Sequence, residues 1–317
     1  MIAETLTSPV ILFFLLGVLA ALIHSDLAIP EAFAKAMSIY LMTAIGIKGG
    51  IEVSGSGLTS TLAAAAFAGL FLSFTIPFFA FALLMRIGGL SRVDAGAVAA
   101  HYGSVSVVTF VTARELLTGE GLTPAGYMVA VLALMETPAI ISGLLLARKG
   151  DQNNKGDDTN LLHEVFANGS VVLLIGSFLI GLVIGKDGYE PIKPLFTIGF
   201  TGVLCLFLLD MGLVAARRLQ QSKKLNVHLI ILAVTLPVVN GTIGVLIGTF
   251  IGLDIASAAI FGVLAASASY IAVPAAMRMA LPDADPGIYL SMSLGITFPF
   301  NIIFGITLFS QLARLIG

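Results

Sequence analysis

Glu136 is the side chain with the most to explain. It stands in Leu134-Met135-Glu136-Thr137-Pro138, with no other charged residue between positions 124 and 147. A carboxylate in so apolar a run is costly to hold in hydrocarbon and defaults to a working group, either a ligand for Na+ or a proton carrier. The plainer alternative is an interior acid that only ties helices together. Two other segments concentrate hydroxyls, His101-Tyr102-Gly103-Ser104-Val105-Ser106-Val107-Val108-Thr109 and Ala265-Ala266-Ser267-Ala268-Ser269-Tyr270-Ile271-Ala272-Val273-Pro274. Serine competes for backbone hydrogen bonds and proline removes one, so each segment is expected to break a helix. The free N–H end of a half-helix attracts an anion, while unwound carbonyls and hydroxyls suit Na+. Against this, small residues also simply let membrane helices pack closely. Thr297 and Asn301 offer neutral oxygens, His101 a proton relay or a packing ring, and Asp210 a second acid nearer a helix end.

What must position these groups follows from composition. Of 317 residues, 58% are apolar and 11% charged, where a soluble domain carries roughly 25% charged. Mean hydropathy is +1.04, and a bilayer is the solvent that fits. Candidate spans fall at 8–24, 33–48, 58–85, 92–113, 124–147, 163–185, 195–216, 227–251, 254–277 and 287–313. The opening Met1-Ile2-Ala3-Glu4-Thr5 is acidic, unlike a signal peptide, so the first span is expected to be retained. A polar stretch at 149–162 separates two five-span halves, 1–148 and 163–317.

Ten spans sort the loops onto two sides. One side carries 11 Lys/Arg and the other 5, together the 16 present. The positive-inside rule makes the first side cytoplasmic, with both termini outside. Five spans per half turn the second half upside down, the inverted repeat of many secondary transporters. A shift of 163 residues lays positions 90–109 on 253–272 with four identities, among them Ser104 and Ser106 on Ser267 and Ser269.

Other classes drop out. The single Cys205 excludes internal disulfides and multi-cysteine metal sites. The chain has no His-Glu-x-x-His, no Gly-x-Ser-x-Gly and no phosphate-binding loop, so neither an enzyme nor an ATP-driven pump is expected. A net charge of −2 without a basic stripe offers nothing to nucleic acid.

Over nearly its full length the chain resembles the sodium-dependent bicarbonate transporter (SbtA-like) family of bacterial permeases. The matching stretches are Ile29-Pro30-Glu31-Ala32, Ile45-Gly46-Ile47-Lys48-Gly49-Gly50, Gly103-Ser104-Val105-Ser106 with Thr109, Met135-Glu136-Thr137-Pro138-Ala139, Met211-Gly212 and Ala265-Ala266-Ser267-Ala268-Ser269. The run Arg278-Met279-Ala280-Leu281-Pro282, then Asp285-Pro286 and Tyr289, completes them.

The resemblance implies an all-α membrane protein of ten helices, in two inverted five-helix repeats with broken, crossing helices four and nine. It divides the protomer into a core of spans 3–5 and 8–10 and a panel of spans 1–2 and 6–7. It further implies a homotrimer in the bacterial inner membrane, an elevator-like core movement, and a PII-like regulatory protein on the cytoplasmic face. The substrate set becomes Gly103, Ser104, Ser106, Ser267, Ser269 and Tyr270, and the cation set Glu136, Thr109, Thr137, Thr297 and Asn301. Two departures stand out. The family's Ser-Gly-Ser-Thr reads Ser106-Val107-Val108-Thr109 here, and Tyr270 replaces the aspartate of its second break.

The expected function is secondary transport of a small anion, Na+-coupled bicarbonate uptake first. No cofactor is expected beyond Na+ as coupling ion, and no metal beyond that Na+ site. Two alternatives stay open: a small organic anion carried with Na+ or H+, and a non-transporting membrane sensor of the same fold.

Overall fold

A computed structural model describes residues 7–56, 59–148, 169–221 and 225–317. The whole of the expected linker at 149–162, and residues 163–168 of the span expected at 163–185, lie outside the described residues. Those described form helices, with no strand among them: α1 (Pro9–Leu22), α2 (Glu31–Ser56), α3 (Ser60–Arg86), α4 (Arg92–Gly103), α5 (Val107–Gly119), α6 (Met128–Met135) and α7 (Pro138–Arg148). After the linker come α8 (Gly169–Tyr189), α9 (Lys193–Ile198), α10 (Phe200–Gln221), α11 (Val227–Phe250), α12 (Ile255–Ala266) and α13 (Ala272–Ala280). The last helix, α14 (Pro286–Ile316), contains π-helical turns at Ser291–Thr297 and Asn301–Gly305. Eight helical stretches are long and apolar enough to cross a membrane, and α1 and α12 are shorter apolar helices.

The protein is an all-α, multi-pass membrane protein. Phe67, Val183 and Phe250 are 74%, 84% and 90% exposed, a surface that suits lipid and would be a liability in water. Eighteen successive residues within Arg92–Gly119 are all buried, whereas in the most apolar eighteen residues of Ser60–Arg86 and Val227–Phe250 the buried share is 39% and 44%. The hydroxyl-rich helices therefore run through the interior, screened by α3 and α11.

Small residues set the helix contacts, as expected where lipid is as apolar as leucine. Helix α1 lies against α10 with Gly17 facing Gly212. A Cβ on Gly17 would come 2.1 Å from the Leu209 carbonyl oxygen, and one on Gly212 2.2 Å from that of Phe14. Helices α2 and α8 meet the same way: a Cβ on Gly50 would come 2.0 Å from the Phe178 oxygen, and one on Gly181 2.1 Å from that of Ile47. The other group packs α3, α4 and α7 together, and α11, α12 and α14 together.

Hydrogen bonds tie the loops into two sets. One joins Arg217 to the Leu27 carbonyl, Asn226 to that of Gly88, the Asp285 N–H to Asp94, and Arg148 to the Ala280 carbonyl. The other joins Arg114 to Glu52, the Ala125 N–H to Ser257, and Arg314 to Glu120. These are the two sides to which alternating spans assign the same loops.

Besides the span at 195–216, which crosses the junction of α9 and α10 near its start, three expected spans are interrupted in their interior. The one at 92–113 divides into α4 and α5 and runs on to Gly119. That at 254–277 divides into α12 and α13. The third, 124–147, is expected to run unbroken and is interrupted at Glu136 and Thr137, because Pro138 removes an amide donor and crowds the carbonyl four residues back.

Candidate functional site

The two half-helices before the breaks correspond residue for residue at the 163-residue offset, Arg92–Gly103 to Ile255–Ala266. Their caps correspond too. The Ser91 hydroxyl accepts from the Asp94 N–H and donates to the Asp94 carboxylate, while Asp254 accepts from the Ser257 N–H and hydroxyl. Each is an N-cap that satisfies one end-of-helix N–H and is held by a second, side-chain bond between the same two residues. Each cap also reaches across the molecule: Asp94 receives the Asp285 N–H before α14, and Ser257 the Ala125 N–H before α6.

Beyond the caps both chains become extended and meet. The Ser106 N–H donates to the Ser267 hydroxyl at 3.1 Å, and the Ser269 N–H donates to the His101 carbonyl at 2.9 Å. A carbonyl only accepts, so the His101 Nδ1–H donates to the Ser269 carbonyl, leaving Nε2 buried without a partner. The ring stacks on Tyr289 at 4.8 Å. His101 is thus a brace between the breaks.

Glu136 is brought to this crossing by its own helix interruption. With Pro138 breaking the ladder, the Ile140 N–H bonds back to Thr137, and the carbonyls of Met135 and Glu136 accept instead from the hydroxyls of Ser73 (2.6 Å) and Ser104 (2.9 Å). The Glu136 carboxylate is 2% exposed, and its Oε2 is buried without a partner. It lines a small cavity with Ser106, Ser269, Tyr270 and the walls Val105, Val107 and Ile271. The cavity has about 10 Å³, room for a single water-sized sphere.

Not every expected residue keeps a free oxygen for a ligand. The Ser106 hydroxyl caps α5, accepting from the Thr109 N–H (3.2 Å) and hydroxyl (2.9 Å). Ser267 donates to the Leu264 carbonyl while accepting from Ser106. Thr297 donates to the Ala233 carbonyl, the group that Pro237 leaves unpaired in α11, and bonds Tyr102 at 2.8 Å. Asn301 donates to the Ala266 carbonyl at the end of α12, with its Oδ1 buried and unpartnered. Gly103 packs against Pro77, where a Cβ would meet the ring at 2.5 Å. Of the expected set, Ser106, Ser269, Tyr270 and Glu136 share the cavity. Thr109 joins through Ser106, Ser104 through the Glu136 carbonyl, and Thr137 as Glu136's neighbour.

The two breaks also differ in their second helices. The start of α13 has no side-chain cap, and Pro274 sits in its first turn, where a missing N–H costs nothing. The Tyr270 hydroxyl is buried facing Ser106 without a well-formed hydrogen bond, its ring edge-on to Phe298 at 5.1 Å. Sequence reasoning missed the break at Glu136 and the support from Ser73; Pro138 was its legible signal.

A sequence profile of the Na+-dependent bicarbonate transporter superfamily matches residues 9–314. The chain belongs to that superfamily. It is a family of transporters, not of enzymes. A comparison with curated proteins finds no match. The family is described as Na+-dependent; a hard cation takes oxygen ligands, and Glu136, Ser269 and Tyr270 line a space too small for a four-heavy-atom oxyanion.

Proposed function

We propose that the protein is a secondary transporter that carries a small oxyanion, bicarbonate first, together with Na+. The observation that carries this reading is the convergence of an unpaired, buried Glu136 carboxylate with two intersecting helix breaks. Glu136 and Ser269 take the cation, whose charge would neutralise a carboxylate that is otherwise costly at membrane depth. The uncapped start of α13 and the Tyr270 hydroxyl face the anion. Since the cavity admits one water-sized particle, anion entry requires the second break to move away from the first.

The matched caps and the 163-residue offset support ten spans in two inverted five-helix halves. The division of contacts supports a panel of α1, α2, α8 and α10 beside a core of the remaining spans. Bicarbonate would travel by movement of that core, in trimers in the bacterial inner membrane with the arginine-rich loops inside. A second reading, a small organic carboxylate, is favoured by Tyr270, Val107 and Ile271 lining the cavity, three bulky side chains where bicarbonate needs none.

The test is uptake of ¹⁴C-bicarbonate into proteoliposomes, with and without an inward Na+ gradient. Uptake that depends on Na+ supports the first reading. Intact protein that moves formate or acetate but not bicarbonate supports the second. No counterflow of any of these anions would sink both.

A further inference from the structure

A second cavity begins where the first one ends. It has about 390 Å³ and lies between α10 and α13–α14, and Tyr270 and Ile271 belong to the walls of both cavities. Among the described residues its remaining walls are apolar except for Arg218 on α10 and Arg278 on α13, and no carboxylate among them lines it. Both arginines are exposed rather than buried in ion pairs. Arg278 lies near the hydroxyl of Tyr289, whose ring stacks on His101. Asp285, near Tyr289, accepts from the Gly287 N–H at 2.8 Å in capping α14.

We propose that this cavity is a second anion-binding site, which holds a small planar oxyanion such as bicarbonate or formate between Arg218 and Arg278 before or after it passes Tyr270. The proposal rests on the transport reading for its physiological ligand, but its geometry stands apart from the crossing breaks. A cleft lined by one sign of charge with apolar walls concentrates counter-ions. Two guanidiniums on different helices suit a carboxylate-like ion, because each presents a planar fork of donors. The partners come from α10 and α13, helices of the two packing groups. An anion bridging them would thus favour one relative position of those groups and weaken as they slide apart. Tyr270 is the partition: its ring faces the vestibule on one side and the Glu136 cavity on the other.

The chain has no tryptophan, so one introduced in the cavity wall is a sole reporter. Met211→Trp and, separately, Val214→Trp replace half-buried residues of that wall on α10. Purified protein in nanodiscs is titrated with bicarbonate and with formate, as choline salts, at fixed pH and at an ionic strength held with gluconate. The expected result is a saturable fluorescence change in at least one reporter. Its apparent Kd rises at least tenfold with Arg218→Gln and Arg278→Gln combined, and it survives Ser106→Ala with Ser269→Ala. Three results would overturn the proposal: no saturable change in either reporter, a change that persists with both arginines removed, or one lost in the serine variant alone. Binding is read here without flux. Absent uptake with retained titration would therefore sink the transport reading and leave the site standing.

Discussion

The two helix breaks look alike in sequence and do different physical work. At the first, residues 104–106, the polar groups are taken up locally. Ser104 holds the Glu136 carbonyl, Ser106 caps α5, and the Ser106 N–H is bound to Ser267. At the second, residues 267–271, the chain takes two more residues to re-enter a helix. That helix starts without a side-chain cap, Tyr270 keeps an unsatisfied hydroxyl, and Ile271 is 41% exposed. Buried polar groups left unpaired cost about 1–3 kcal/mol each, so the second break holds its conformation less firmly and has donors to offer a ligand. On the proposed transport reading the first is a frame, and the second is the part that binds and moves.

The substitution with the largest expected effect separates the two. Glu136→Gln keeps the backbone carbonyl that Ser104 binds and alters only the carboxylate facing the second break. Na+ stimulation of uptake is expected to fall at least tenfold, about 1.4 kcal/mol of coupling or more, with the melting temperature preserved. Flux assays at varied Na+ check it, and unchanged Na+ dependence removes Glu136 from the cation site. Gly103→Ala attacks the frame instead. Its methyl would lie 2.5 Å from the Pro77 ring and 2.8 Å from the Ala139 methyl, an overpacking worth about 1–3 kcal/mol. Thermal unfolding in detergent should show that loss, and full stability would mean the first break yields more easily than its packing suggests. Ser106→Ala removes a cap worth about 1 kcal/mol, and the same assay reads it.

Much of this was legible in the sequence, and the reasons differ by residue. Serines at the same offset in both halves marked the breaks, since hydroxyl clusters are rare in spans that face lipid. Glu136 declared itself as a charge in an apolar run. What the sequence could not separate was a ligand oxygen from a bracing one. Thr297 and Asn301 carry suitable oxygens, yet in the fold Thr297 answers the carbonyl freed by Pro237 and Asn301 the end of α12. Such pairings join residues 35 and 64 positions apart, and no local pattern encodes them. The motifs around Gly46, Gly50 and Gly212 contributed to the family resemblance, but they serve close helix contact and do not line the cavity.

Tyr270→Phe is the smallest change and the sharpest for the comparison. It keeps the ring that packs on Phe298 and removes only the buried hydroxyl that has no well-formed bond. If that hydroxyl were structural, its loss would destabilise the protein. Because it is unsatisfied, removing it should leave stability unchanged or raise it by up to about 1 kcal/mol. The apparent KM for the anion should rise a few-fold, since the transported ion loses a donor. Melting curves and uptake kinetics on one preparation read both quantities. A lower melting temperature with unaltered KM would give Tyr270 the bracing role of Ser106, and the two breaks would then differ in length rather than in purpose.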